Sequence, residues 1–178
     1  QVCALVTIDW LEVRLLLTAP TMTDSEQYML ELVNKARANP SAEAARLGIG
    51  LNDGLSPGTI TTAAKQPLAP QQQLITAAGL HSQDMLNRDF FSHTTLVAGT
   101  TYSQRVTNQG YIWALVAENI GYAAKTVSAS QTVFIDEIHA GLIRSAGHRE
   151  NIMLPAAEEL GISRPTLYDL MRKHGINA

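Results

Sequence analysis

Three short segments hold the side chains best equipped for chemistry: Phe90-Phe91-Ser92-His93, Ala117-Glu118-Asn119-Ile120, and Ser145-Ala146-Gly147-His148-Arg149-Glu150-Asn151-Ile152. Within them His93, Glu118 and His148 are the candidate site residues. Two neutral imidazoles and one carboxylate make a three-ligand set for Zn²⁺, with a fourth position open to water. Copper and nickel compete for the same donors. A second use is also open: a glutamate can orient an imidazole and raise its basicity, giving a general base near neutral pH. A hydrogen-bonded structural cluster is the third. None of these supplies a nucleophile. Ser92 and Ser145 stand close in sequence, yet a Ser-His hydrolase also needs an orienting group and an oxyanion hole. Binding is therefore preferred to catalysis, with a metal-dependent hydrolase or peptidase as the alternative.

The elements that must position these residues are mostly helical. Thr23-Asp24-Ser25-Glu26 has capping-box spacing and predicts a helix start. Its apolar stripe runs Met29, Leu32, Val33, Ala36, and Asn39-Pro40 ends it because the residue before proline avoids the helical region. Ser41 caps a second short helix through Leu47, closed by Gly48. Residues 48 to 67 are rich in Gly, Ser, Thr and Pro and read as a surface loop. A third helix begins near Pro70 with Leu74, Ala77, Ala78, His81 and Met85 on one face. Tyr111 to Val116 reads as a strand or extended approach to Glu118. A helix after Ser130 turns Val133, Phe134, Ile138 and Leu142 inward, and Ser145 opens another reaching Met153.

Other polar residues read as structural. His81 lies on an apolar stripe, as a buried hydrogen-bonded core histidine would. Asp84 accepts from a neighbour, Arg37 fixes a loop by a bidentate contact, and Asn119 holds the turn after Glu118. Glu137 and His139 are placed in solvent, and Trp113 in the core rather than on a ligand platform.

Composition narrows the class. The 178 residues are 46% hydrophobic and 16% charged, enough apolar material for one compact domain and too little charge for a mostly disordered tail protein. Cys3 is the single cysteine, so neither an intrachain disulfide nor a Cys-based zinc site can form. The net charge of −3 argues against a surface built for nucleic acid. The first twenty residues are broken by Asp9, Glu12 and Arg14 and fall short of the roughly 20 apolar residues of a transmembrane helix. No ordinary signal peptide is visible, and the absence of an initiator Met points to a processed or excerpted chain.

The three segments, preceded by Asn34-Lys35-Ala36-Arg37 and Leu80-His81-Ser82-Gln83-Asp84-Met85, resemble in order and spacing the CAP superfamily of cysteine-rich secretory, antigen-five and pathogenesis-related proteins. The likeness covers about residues 23–161 and is to the disulfide-free bacterial branch. It implies an α+β fold, a three-layer αβα sandwich, with a surface cleft where two His and two acidic residues meet. His93 matches the first cleft His, Glu118 the acidic residue of the Gly-Glu-Asn-Ile motif, and His148 the second His. The remaining family Glu falls near Ser145, Ala117 replaces the usual Gly, and Ala146 the usual Pro. The implied protein is a secreted or envelope-associated binding module. Its ligand would be a divalent metal such as Zn²⁺ or an envelope, lipid, glycan or protein partner.

Both ends carry further resemblances. Leu11 to Ala19 resembles the Leu-Glu-Pro-Arg-x-Leu-Leu-Ser-Ala element of large exported bacterial proteins, so residues 1–22 read as an export-associated tail. Residues 156–177 resemble a Fis-type helix-turn-helix, and 162–178 are read as a separate segment. Pro165 suits the first turn of a second helix capped by Ser163, and Arg164, Thr166 and Tyr168 would lie nearest DNA. Acidic and basic residues from Ala156 onward balance, a poor footprint for nucleic acid. Nothing after Ile162 looks like a strand, so the central sheet is expected to be incomplete. Losing about five inward side chains at roughly 1.5–3 kcal/mol each would destabilise the unit unless the C-terminal helices cover the sheet.

Overall fold

The computed structural model describes residues 20–123 and 129–154. Six helices form among them. Helix α1 spans Asp24–Ala38 and opens as its sequence requires: Thr23 Oγ1 accepts from the Glu26 amide, and Glu26 Oε2 accepts from the Thr23 amide at 2.8 Å. Met29, Val33 and Ala36 fill its buried stripe. Helix α2, Pro40–Arg46, is capped by Asn39 rather than Ser41, through the Ala42 amide at 3.1 Å, with Pro40 in its first turn. Proline at that position loses no helical hydrogen bond.

The following loop is held by amide side chains acting as backbone would. Asn34 donates to the Leu68 carbonyl and accepts from the Leu68 amide at 3.0 and 2.7 Å. Asn52 does the same to Ile60 at 3.0 and 2.8 Å. Each pair satisfies both polar groups of one loop residue, which lets Leu68 and Ile60 be buried.

Helices α3 (Gln72–Arg88), α4 (Tyr102–Asn108), α5 (Gln131–Arg144) and α6 (Ala146–Ile152) complete the described set. The main core lies where α1 packs on α5, around Val33, Phe134, Ile135, Ile138 and Ile143, with Ile152 of α6 joining. A smaller cluster sets Leu74 and Ala77 of α3 against Val106 of α4. Val133, expected inward, is exposed, whereas Phe134, Ile138 and Leu142 are buried.

The αβα sandwich is corrected by the structure: no strand forms among the described residues. Tyr111 to Val116 shows why. Tyr111, Trp113 and Val116 pack on the α3–α4 cluster, while Ile112 is 93% exposed and Leu115 53%. The segment lays Tyr111, Trp113 and Val116 against helices, and among the described residues no second extended segment pairs with it. Helix α4 was not anticipated, although Thr101 and Gln104 form a capping box there.

Candidate functional site

His93 follows a sharply turned exit from α3. Asp89 adopts a left-handed conformation at φ 58°, and the Phe90 amide closes the helix end on the Met85 carbonyl at 3.0 Å. His81, buried in α3, then donates from Nε2 to the Ser92 carbonyl at 2.8 Å. Its core role is as expected, with the addition that it anchors the backbone next to His93. Burial first, and the Arg105 charge second, push the His81 pKa below its ordinary value.

Glu118 is buried and uses both oxygens. Oε1 accepts from His93 Nδ1 at 2.9 Å, and Oε2 accepts from Arg105 Nη2 at 2.5 Å. Arg105, from α4, also donates through Nη1 to the His93 and Thr100 carbonyls at 3.0 and 2.9 Å. One guanidinium thus fixes both the carboxylate and the backbone of its imidazole partner. Because a carboxylate only accepts, Nδ1 carries a proton, and in the neutral form of the ring Nε2 is the lone pair. The His93 side chain is 48% exposed, which places that nitrogen at the solvent rim.

His148 lies in the first turn of α6, partly buried. Burial lowers its pKa, and the nearby His93 lowers it further. Asn119, read as a turn residue, reaches across to α6: its Nδ2 donates to the His148 carbonyl at 3.1 Å, and its Oδ1 accepts from Asn151 at 3.0 Å. Arg149 holds the same turn from behind. It is fully buried and donates to the carbonyls of Leu51, Ile143, Arg144 and Asp53. The loop after Glu118 lies so close to α5 that a Cβ at Gly121 would stand 2.9 Å from Ile138 Cγ2.

The arrangement offers two imidazoles, one of them held by a carboxylate. Among the described residues no group of three His, Cys, Asp or Glu is arranged to hold a metal ion, and Glu118 is hydrogen-bonded to both His93 and Arg105. Sequence reasoning missed Arg105 and Arg149, the two clamps. It also placed His139 in solvent, whereas His139 is buried against Glu43. Arg37 does fix a loop as expected, but through carbonyls of Gln66, Ile152 and Leu154. Asp84 accepts from Arg88 at 2.6 Å. The export-like element at Leu11 to Ala19 and the helix-turn-helix residues Arg164, Thr166 and Tyr168 lie outside the described residues.

No helix among the described residues is long and apolar enough to cross a membrane. Comparisons with curated proteins and with solved structures return no match. The model of the CAP family, described as the cysteine-rich secretory protein family, matches residues 30–169, well over half of the 178. Its span takes in His93, Glu118 and His148 together with the arginines that hold them, and on that match the chain belongs to the CAP family.

Proposed function

We propose that this chain is an exported binding module of the disulfide-free bacterial CAP branch, working in the secreted or cell-envelope space. Its site is the face that carries His93 and His148. The observation that carries the reading is the double use of Glu118, which holds His93 Nδ1 while Arg105 holds Glu118. A histidine that ligates a metal usually donates its other ring N–H to a carboxylate, carbonyl or water, and a carboxylate there sets the tautomer and strengthens the donor, as Glu118 does for His93. Neither His93 Nε2 nor the His148 ring makes a hydrogen bond among the described residues.

The donor set therefore fits a divalent ion such as Zn²⁺ held by two imidazole nitrogens, with other positions left to water or to an envelope ligand. Such an ion would supply a positive centre for an anionic or carbonyl-bearing partner. Glu118 serves as orienting group rather than ligand. The test is Zn²⁺ titration by calorimetry of the parent and of the His93→Ala plus His148→Ala variant. Uptake in the parent and none in the variant is expected, and equal uptake by both removes the reading.

The same carboxylate-held imidazole is the observation that favours hydrolysis as the second reading, with His93 as general base. The Ser92 hydroxyl accepts from the Thr94 amide at 3.1 Å in a local turn. Hydrolysis of ester or peptide substrates that persists in Glu118→Gln would remove His93–Glu118 as the catalyst.

A further inference from the structure

A second grouping of the same three residue types lies away from the site, between α1, α2 and α5. His139 of α5 is 1% exposed, and both its ring nitrogens are buried with no hydrogen-bond partner. Its Nδ1 stands 3.6 Å from Glu43 Oε1, beyond hydrogen-bond reach. Glu43 is itself buried, and Arg46 donates to both of its oxygens, at 3.0 and 2.5 Å. A buried polar ring with no partner calls for an explanation, because an apolar side chain would fill that space without leaving two nitrogens unsatisfied.

We propose that His139 is an acid-sensitive joint: proton uptake on its ring loosens α5 from α1 and α2, and α6 with His148 moves with it. The charged groups that face His139 are Glu43 and Arg46 from α2, Lys35 from α1, and Asp136 from α5 itself. Glu43, the nearest of them at 3.6 Å, attracts an imidazolium, but Arg46 and Lys35 oppose it and the attraction does not make up for the ring's loss of water. Burial accordingly holds the His139 pKa below its ordinary value, against the opposing pull of Glu43.

The sign of the effect follows from linkage. In the unfolded chain His139 takes a proton near pH 6.5, whereas in the folded protein it does so only at lower pH. The folded state is therefore favoured fully above about pH 6.5, and that advantage is lost as pH falls toward the folded-state pKa. The mechanical connection is short. Ser145 alone separates α5 from α6, and Arg149 of α6 is hydrogen-bonded to the last carbonyls of α5, Ile143 and Arg144. A loosened α5 carries the His148 turn with it. This joint stands whether or not a cation binds at His93.

Amide hydrogen exchange of the full chain between pH 7.5 and 5.0, corrected for the intrinsic pH dependence of exchange, reads the effect directly. In the parent, opening of α5 and α6 is expected to rise by up to about tenfold per pH unit below 6.5, the slope for uptake of one proton. His139→Gln, which cannot titrate, is expected to flatten that slope. An equal acid slope in both proteins overturns the proposal. Should His139→Gln not fold, the parent alone decides: opening of α5 and α6 that follows the titration of the His139 ring, as NMR records it, supports the joint, and opening that does not follow that titration overturns it.

Discussion

His93 and His139 each face a buried glutamate that an arginine holds on its far side, yet the two groupings do different work. At His93 the imidazole is bonded to Glu118 at 2.9 Å and stands half in water. At His139 the imidazole is sealed in the core, 3.6 Å from Glu43, with no bond to it. The placement of the arginine is reversed as well. Arg105 is nearly as buried as Glu118, while the Arg46 side chain is half exposed. The lesson is that residue types do not define a site. A fixed carboxylate with its imidazole at the solvent rim yields an oriented nitrogen donor. The same trio with the imidazole inside yields a group whose charging the fold resists.

The largest expected effect tests that difference at the two glutamates. Glu118→Gln leaves Arg105 buried with no counter-charge among its contacts, and breaking such a pair costs about 3–5 kcal/mol. Glu43→Gln leaves Arg46 free to turn toward water, so about 1 kcal/mol or less is expected. Urea denaturation of the two variants measures both, and equal losses would erase the distinction between the groupings. Glu43→Gln has a second readout. The Glu43 charge raises the His139 pKa, so its removal moves the His139 titration to lower pH, as NMR would report.

Gly121 links the two regions, since the loop leaving Glu118 rests on Ile138, the residue beside His139. Gly121→Ala inserts a methyl where only 2.9 Å is available. Overpacking of this kind costs about 1–3 kcal/mol, and the shift should reach both sides. The expected outcome is a lower urea midpoint together with changed NMR shifts of the His93 and His139 rings. Disturbance of one ring alone would show that the regions are mechanically separate.

Much of this was legible in the sequence, and the failures have identifiable causes. Thr23 and Glu26 announced α1, and Asn39-Pro40 announced the break after it, because caps and prolines act within a few residues. Thr101 and Gln104 carried the same signal for α4, masked by the short helix and its loop-like surroundings. Of the two readings of Tyr111 to Val116, strand or extended approach, the strand does not form among the described residues, because alternation records which side chains find apolar cover, not whether a second strand supplies it. Arg105 and Arg149 escaped notice because most of their partners are backbone carbonyls, which leave no mark on residue type. His139 could have been found. It sits four residues from both Ile135 and Ile143, inside an apolar face wider than the stripe through Phe134, Ile138 and Leu142.

The smallest stability effect is also the sharpest test of what the solvent-rim imidazole is for. In His93→Gln the new amide can still donate to Glu118, and the side chain is half exposed, so stability should change by about 0.5 kcal/mol or less. What disappears is the imidazole lone pair on the outer side of the ring, since an amide nitrogen is a poor metal donor. Calorimetric titration with Zn²⁺ should then show lost uptake in a protein that unfolds at nearly the parent's urea concentration. If His93→Gln instead unfolds as readily as Glu118→Gln, the imidazole is a structural brace like the arginine behind it. If it keeps both its fold and its zinc, the locked nitrogen is not the donor, and the contrast with His139 reduces to a difference in burial alone.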